Sequence, residues 1–191
     1  MCLKTQSWQR LVGYAIINFT GKTLYRLIFT LEESKDFFMD ANIEKTIRSL
    51  TNHNMAGYYV KDAAELLRLL PELIEKGSEV GCGDSVTLEQ TGIYAFLRQG
   101  DYVFLDKYIP GLTHEEKRKM YLQNFSADTF ITGSNAVTLD GKLFNIDGNG
   151  SRAAPMLYGP AQVIVVVGKN KLAENTEKAM KEMGIEAEII K

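Results

Sequence analysis

The chain has 191 residues, 45% of them hydrophobic and 24% charged, and its formal net charge is -2. This composition is typical of one globular domain, and it excludes a disordered, collagenous or coiled-coil chain. The balanced charge and the absence of a basic stripe argue against nucleic acid as a partner.

Cysteine and histidine usage argues against a disulfide framework and against a metal site. The residues concerned are Cys2, Cys82, His53 and His114. They lie far apart in the sequence and match no zinc or iron–sulfur spacing. The apolar run at residues 11–19 is too short to span a bilayer and lacks a signal-peptide cleavage site. We therefore expect a cytoplasmic protein without a membrane partner.

The first 38 residues show no clear period, so we treat them as an N-terminal extension that precedes a main domain at residues 39–191. Within the extension, strand-like stretches at residues 14–19 and 24–29 flank a Thr-Gly-Lys turn, which favours a hairpin. The main domain opens with a helix predicted over residues 41–54, from apolar residues at helical spacing. A strand follows at residues 57–60.

The middle of the chain continues this alternation. Asp62 is placed to cap a helix to Leu70, which Pro71 should end or kink. A strand at residues 79–81 precedes a glycine-rich turn and a helix that extends to Arg98. A further strand is predicted at residues 102–105, and Thr113 with Glu116 forms a capping box for the next helix.

The last third of the chain contains the most apolar segment. Strands are predicted at 129–132 and 142–146, and a short helix at 153–157. Residues 162–167 form a continuous β-branched run, which is typical of a buried parallel strand. A helix at 172–183 and a strand at 186–190 complete the pattern. Strands alternating with helices predict a single α/β domain with a mostly parallel, Rossmann-like sheet.

Ligands of such sheets bind beyond the carboxyl ends of the strands, where three polar segments should meet. The first runs from strand through a glycine-rich turn into a helix, so its backbone N–H groups can bind a phosphate or carboxylate. Its candidate ligand-binding residues are Gly83, Asp84, Ser85 and Thr87. Thr87 and Gln90 have capping-box spacing. The alternative is a tight turn that binds nothing.

The second and third segments are loops with short polar side chains. Asn135 faces either a ligand or its own loop backbone. Asp147 and Asn149 imitate half of a calcium-binding loop, but Met156 stands where the bidentate glutamate belongs, so we reject calcium. Arg152 is suited to bind a ligand carboxylate or phosphate, and equally suited to pair with Asp147.

Three side chains are candidates for catalysis by their chemistry alone. Asp147 and Glu89 are the acid or base candidates, although a glutamate in a first helical turn more often complements the helix dipole. Cys82 could act as a nucleophile at a helix N-terminus, but a small residue in a crowded turn is the preferred interpretation.

Together these segments resemble the LUD-domain family, of the lactate-utilisation protein C (LutC) type. The matching stretches are residues 83–88, 125–128, 134–138, 145–152, 158–160, 163–168 and 170–171. The resemblance covers about residues 40–171, whereas the family usually starts near Met39. Similar proteins often continue into a cysteine-bearing tail, which this sequence does not include.

The resemblance implies a fold similar to the sugar-phosphate isomerase and CoA-transferase group, whose members bind phosphorylated sugars or CoA esters at the matching loops. It also implies a role in oxidising L-lactate to pyruvate alongside iron–sulfur partner proteins. We therefore expect a small anionic metabolite as ligand. No motif for a flavin, nicotinamide or cluster is present, so no cofactor is predicted.

Two alternatives remain open at this point. The chain is either a non-catalytic subunit that docks on an iron–sulfur oxidoreductase, or an isomerase or CoA-transferase-like enzyme by analogy of fold. A homodimer would be compatible with each of them, but no segment argues for it.

Overall fold

The computed structural model describes residues 23–30 and 41–182. Its strands are β1 (Leu24–Thr30), β2 (Met55–Val60), β3 (Glu79–Cys82), β4 (Val103–Phe104), β5 (Thr129–Thr132), β6 (Ala136–Thr138), β7 (Leu143–Phe144), β8 (Gln162–Gly168) and β9 (Leu172–Ala173). Its helices are α1 (Ala41–Asn52), α2 (Ala63–Leu73), α3 (Val86–Gln90), α4 (Ile93–Gln99), α5 (His114–Gln123), α6 (Ala153–Leu157) and α7 (Thr176–Glu182). Over this part of the chain, no helix has both the length and the apolar character needed to cross a membrane.

The centre of the molecule is a six-stranded sheet in the order β2-β1-β8-β5-β3-β4, and every pairing in it is parallel. All residues of β8 are buried, because helices cover both faces of the sheet at its middle. The predicted parallel α/β architecture is therefore confirmed, and it has the Rossmann-like arrangement of strands and crossover helices.

Two apolar cores lie on opposite faces of this sheet. One face packs against α2, α3 and α4 through side chains that include Leu66, Leu88 and Leu97. The other face packs against α1 and α6, for example through Ile43 and Met156. The alternation of side chains along each strand supplies both cores at once, since neighbouring residues point to opposite faces.

Strand β1 is an interior strand of the sheet, between the edge strand β2 and β8. Both neighbouring strands run parallel to β1, so the chain must cross over the sheet to connect β1 with each of them. Leu24–Thr30 therefore belongs to the same sheet as the later strands. The predicted hairpin partner at residues 14–19 and the final strand at 186–190 lie outside the described residues.

A small second sheet joins the end of the chain to the segment after β5. It has the order β7-β6-β9. The turn between β6 and β7 contains Asp140-Gly141, and Gly141 has a φ of 81° that favours glycine. Strand β9 replaces the start of the helix predicted at 172–183, because Leu172 pairs with Val137 and the helix begins only at Thr176.

Two further expectations about helices were wrong. Pro71 does not end α2, which continues to Leu73. Proline in the last turn removes only one helical hydrogen bond, so the helix tolerates it. The helix predicted up to Arg98 is instead two short helices, because Gly92 has a φ of 77° and breaks the helical path between α3 and α4.

Candidate functional site

The loops that follow β3 and β5 meet at the carboxyl edge of the sheet, where the sequence predicted a site. A Cβ atom at Gly83 would overlap Thr132 and also meet Cγ of Arg152 at 2.9 Å. A Cβ atom at Gly133 would overlap the hydroxyl of Ser85. Glycine is required at both positions because these segments of the chain approach each other so closely. The first and second polar segments are thus in direct contact, and Arg152 brings the third segment to them.

Arg152 is the centre of a hydrogen-bond network within these loops. Its Nη1 donates to the carbonyl of Gly133 at 3.2 Å and to Oδ1 of Asn145 at 2.7 Å. Its Nη2 donates to Oδ1 of Asn135 at 2.5 Å and to the carbonyl of Ile146 at 2.7 Å. Burial lowers the pKa of Arg152, while the charges of Asp147 and Asp84 raise it. Four protein acceptors therefore hold the guanidinium in place.

The same network contains Asn135, for which the sequence left open whether it faces a ligand or its own loop backbone. Oδ1 of Asn135 accepts from Arg152 and also from the backbone N–H of Ile146 at 3.0 Å. Ser134 is buried, and its hydroxyl lies 3.2 Å from Oδ1 of Asn145. These polar groups satisfy the loop, which is the structural alternative that the sequence left open.

Asp147 caps the helix α6. Its Oδ2 accepts from the backbone N–H of Arg152 at 2.7 Å and from that of Ala153 at 2.8 Å. The pairing of Asp147 with residue 152 thus involves the backbone of the arginine, while the guanidinium has other acceptors. A role for Asp147 as an acid or base stays a prediction, since one carboxylate oxygen is already used by the helix.

A second charged group lies at the same edge, built on the loop after β4. The Nζ atom of Lys107 is 3.0 Å from Oδ1 of Asp84 and donates to the carbonyl of Cys82 at 3.2 Å. It also lies 5.5 Å from the ring centroid of Tyr108 and 5.2 Å from that of Tyr121, within the range of cation–π attraction. The lysine side chain is only 4% exposed, whereas that of Asp84 is 61% exposed.

A tyrosine hydroxyl holds the same oxygen of the Asp84 carboxylate that Lys107 contacts. The hydroxyl of Tyr108 donates to Oδ1 of Asp84 at 2.7 Å and lies 3.2 Å from that of Tyr94. Burial, followed by the hydrogen bonds to Tyr94 and Asp84, raises the pKa of Tyr108, so it stays protonated and donates. Burial tends to raise the pKa of Asp84, but hydrogen bonds from Tyr108 and Lys107 and the charges of Lys107 and Arg152 hold it below its usual value.

The loop that carries Lys107 is itself anchored. Arg98 on α4 donates to both carboxylate oxygens of Asp106, at 2.7 and 3.2 Å. Oδ1 of Asp106 also accepts the backbone N–H of Tyr108 at 3.0 Å. This bidentate pair fixes the residues on each side of Lys107, and it fixes the position of the ammonium relative to Asp84.

Cys82 lies at the end of β3 and is buried. Burial raises the pKa of its thiol to about 12, more than the charge of Lys107 lowers it. A thiol of this kind is protonated near neutral pH and is a poor nucleophile. The preferred interpretation from the sequence, a small residue in a crowded turn, agrees with this position.

The remaining sequence candidates occupy the short helix α3 and the exposed loop before α6. Helix α3 has five residues, and its N-cap is Ser85, whose Oγ accepts the N–H of Leu88 at 3.4 Å, so Thr87 is not the cap. So short a helix contributes little dipole. Glu89 is exposed on α3, and Asn149 is exposed in its loop, where it accepts the N–H of Ser151 at 3.0 Å. Neither side chain joins the Arg152 network.

A cleft of about 720 Å³ opens beside α3 at the carboxyl ends of the central strands β1 and β8. It is lined by Thr30, Asp62, Ala63, Ala64, Val86, Thr87, Gln90, Thr91, Gly168, Asn170 and Lys171. Lys171 supplies a positive charge, and Thr30 and Thr87 supply hydroxyls. Asp62 is committed to the N-cap of α2, since its Oδ1 accepts the N–H of Glu65 at 2.7 Å.

Sequence reasoning missed Lys107, Tyr108 and Lys171 as functional candidates. Lys107 and Tyr108 directly follow a predicted strand, so their place at the carboxyl edge was available from the same rule that selected Gly83 and Asn135. The burial of Lys107 was not available, because it depends in part on the ring of Tyr121, which comes from another element of the chain. Across residues 23–30 and 41–182, no group of three His, Cys, Asp or Glu side chains is arranged to hold a metal ion.

Comparison with known proteins gives one match. The sequence model described as LUD domain matches residues 43–188, which is most of the chain. No curated protein and no solved structure matches the chain.

Proposed function

The chain belongs to the LUD-domain family, and from this premise we propose that it binds a small anionic metabolite at the carboxyl edge of its parallel sheet. The metabolite carries a carboxylate or a phosphate, or is a CoA ester. The LUD domain is associated with lactate-utilisation proteins, so the proposed setting is the oxidation of L-lactate to pyruvate, together with iron–sulfur partner proteins.

The observation that carries this proposal is the cleft beside α3. Its volume of about 720 Å³ is within the roughly 300–1,000 Å³ of ordinary small-molecule sites. It lies where parallel α/β sheets bind ligands, beyond the carboxyl ends of their central strands. The neighbouring strands β1 and β8 both end at this cleft, with Thr30 and Gly168 in its lining.

The charges and hydroxyls around the cleft favour an anion. Lys171 lines it, and among the described residues the only carboxylate in its lining is that of Asp62, which accepts a backbone N–H of α2. Thr87 adds a hydroxyl, whereas the hydroxyl of Thr30 donates to the carbonyl of Val167 at 3.5 Å. A metabolite with one anionic end and a polar body would match this combination of groups.

The proposal is tested by thermal unfolding of the purified chain with lactate, pyruvate, sugar phosphates, nucleotides and CoA esters. A ligand present at 100 times its dissociation constant stabilises the fold by about 2.7 kcal/mol, which is a rise of several degrees in the Tm. Lys171→Met and Thr87→Val should reduce the rise. Lys119→Met is the matched control, because Lys119 is exposed on α5 and pairs only with Glu115.

Arg152 is less suitable for this test, because its substitution removes the network that shapes the loops. A rise in Tm that Lys171→Met reduces and Lys119→Met leaves unchanged would support the metabolite site. If no compound raises the Tm, the metabolite proposal is wrong. The chain is then better explained as a subunit that docks on an iron–sulfur oxidoreductase, which co-purification with such a partner would test.

A further inference from the structure

The ion pair between Lys107 and Asp84 joins a buried cation to an exposed carboxylate. The lysine is 4% exposed and the aspartate 61%, although their charged atoms are only 3.0 Å apart. The ammonium is held firmly, since it donates to the carbonyl of Cys82 and lies against two tyrosine rings. The carboxylate is on the solvent side of the pair, so the Asp84 side chain can move out of the ion pair more easily than the Lys107 side chain can.

Asp84 is also the one member of this group that lies close to the cleft in the sequence. It precedes Val86 by two positions, and Val86 and Thr87 line the cleft wall. Two residues of chain span at most about 7 Å. Asp84 does not line the cleft itself, so a metabolite must extend beyond Val86 for its anionic end to replace the Asp84 carboxylate.

The electrostatics of this position suit an oxyanion. Lys107 contacts the Asp84 carboxylate directly, the Tyr108 hydroxyl donates to it, and the charge of Arg152 also acts on it. The Lys107 ammonium and the Tyr108 hydroxyl thus contact one carboxylate oxygen, and Arg152 adds a positive charge without contacting it. A ligand carboxylate or phosphate could use the same donors, whereas a cation would be repelled and a neutral acceptor would leave the Lys107 charge unbalanced.

We propose that Lys107 is the residue that binds the oxyanion group of the metabolite, and that Asp84 is a built-in competitor that occupies this position and swings away when the metabolite binds. The inference rests on the proposed function and adds the direct contact residue to it. A buried charge without a partner is costly, so Lys107 requires an anion at all times. Either Asp84 or the ligand supplies it.

The first experiment compares the wild-type chain with Asp84→Asn by calorimetric titration with two probes, pyruvate for the carboxylate and inorganic phosphate for the phosphate. Asparagine keeps the shape and the hydrogen bond from Tyr108 but removes the competing charge. We expect at least one probe to bind Asp84→Asn about tenfold or more tightly than wild type, a change equivalent to about 1.4 kcal/mol. Asp101→Asn, which removes an exposed charge from another loop, is the matched control and should leave the Kd unchanged.

A second variant tests the cation. Lys107→Met on the Asp84→Asn background should abolish the gained affinity, and methionine suits the space between two rings. Lys107→Arg on the same background keeps the charge and should retain most of the gain. Circular dichroism and the Tm establish that each variant is folded. If Lys107→Met does not fold, the Asp84→Asn comparison decides the question alone, because that substitution is at an exposed side chain.

The outcomes separate this inference from the proposed function. Tighter binding in Asp84→Asn that requires Lys107 supports the inference. Unchanged or weaker binding in Asp84→Asn overturns it, and if Lys171→Met still weakens the binding of the same probe, the cleft and the proposed function stand. If neither the two probes nor the wider panel bind any of these chains, both are wrong.

Discussion

Two cations lie at the carboxyl edge of the same sheet, and the fold uses them differently. The guanidinium of Arg152 donates to four uncharged acceptors that come from two loops. The ammonium of Lys107 has one carbonyl, two aromatic rings and one exposed carboxylate around it. Arg152 is therefore a structural cation, because every acceptor around it is fixed. We propose that Lys107 is an exchangeable one, because the carboxylate that contacts it, that of Asp84, is on the solvent side.

The first prediction tests the structural role of Arg152 and has the largest expected effect. Arg152→Ala removes the four hydrogen bonds that the guanidinium donates to the two loops, and hydrogen bonds from a charged donor contribute more to stability than neutral ones. We expect a loss of about 2–4 kcal/mol in the free energy of unfolding, measured by urea denaturation. Arg152→Lys should recover only part of it, since lysine cannot reproduce the planar fork. A loss below about 0.5 kcal/mol in Arg152→Ala would contradict the structural role.

The second prediction concerns the close approach of Gly83 to the Arg152 side chain. Gly83→Ala introduces a Cβ atom that overlaps Thr132 and meets Cγ of Arg152 at 2.9 Å. Overpacking of this kind costs about 1–3 kcal/mol, which denaturant unfolding would show. Gly148→Ala is the matched control in the neighbouring loop, since nothing lies within 4 Å of its added Cβ. It should stay within about 0.5 kcal/mol of wild type, and equal losses in the two variants would refute the contact.

The third prediction has the smallest expected effect and concerns the ion pair between Lys107 and Asp84. The pKa of Asp84 is held below its usual value in the fold, so its contribution to stability is present at neutral pH. The contribution is lost as the pH falls from about 4, the usual aspartate pKa, through the lowered value. Wild type should therefore lose more stability on acidification than Asp84→Asn, by less than about 1 kcal/mol because the pair is half exposed and screened.

Unfolding curves at several pH values would measure this difference between wild type and Asp84→Asn. The sign is the decisive part. A variant that loses more stability than wild type on acidification would mean that Asp84 does not have a lowered pKa. Asp106→Asn provides the parallel case, because hydrogen bonds and the charge of Arg98 also lower the pKa of that carboxyl against the effect of burial.

Much of the fold was predictable because its signals are local. The capping box of Thr113 and Glu116 starts α5 as expected, and the β-branched run became the buried strand β8. Gly92 was the informative exception. A glycine inside a helical pattern is tolerated in many helices, so only its left-handed conformation distinguishes a break from a continuous helix.

The site was predictable in place but not in the roles of its residues. The rule that ligands bind beyond the strand ends led to Gly83, Asp84, Asn135 and Arg152, which the fold does bring to one edge. Whether each side chain is free for a ligand depends on its partners, and these come from distant segments. Arg152 and Asn135 satisfy each other, and Lys107 is buried by Tyr121, a contact that no local spacing indicates.

The interior position of β1 also has a consequence for the order of events during folding. The backbone of Thr30 pairs with that of Gly168, and the Thr30 hydroxyl donates to the carbonyl of Val167, which is 137 positions away in the chain. Closing so long a loop costs entropy before the pairing can stabilise it, and such topologies fold slowly. On the ribosome, β1 leaves the exit tunnel long before its neighbour β8 exists. Until then one edge of β1 has no strand beside it, so the newly made chain exposes to aggregation a strand that is paired on both edges in the finished fold.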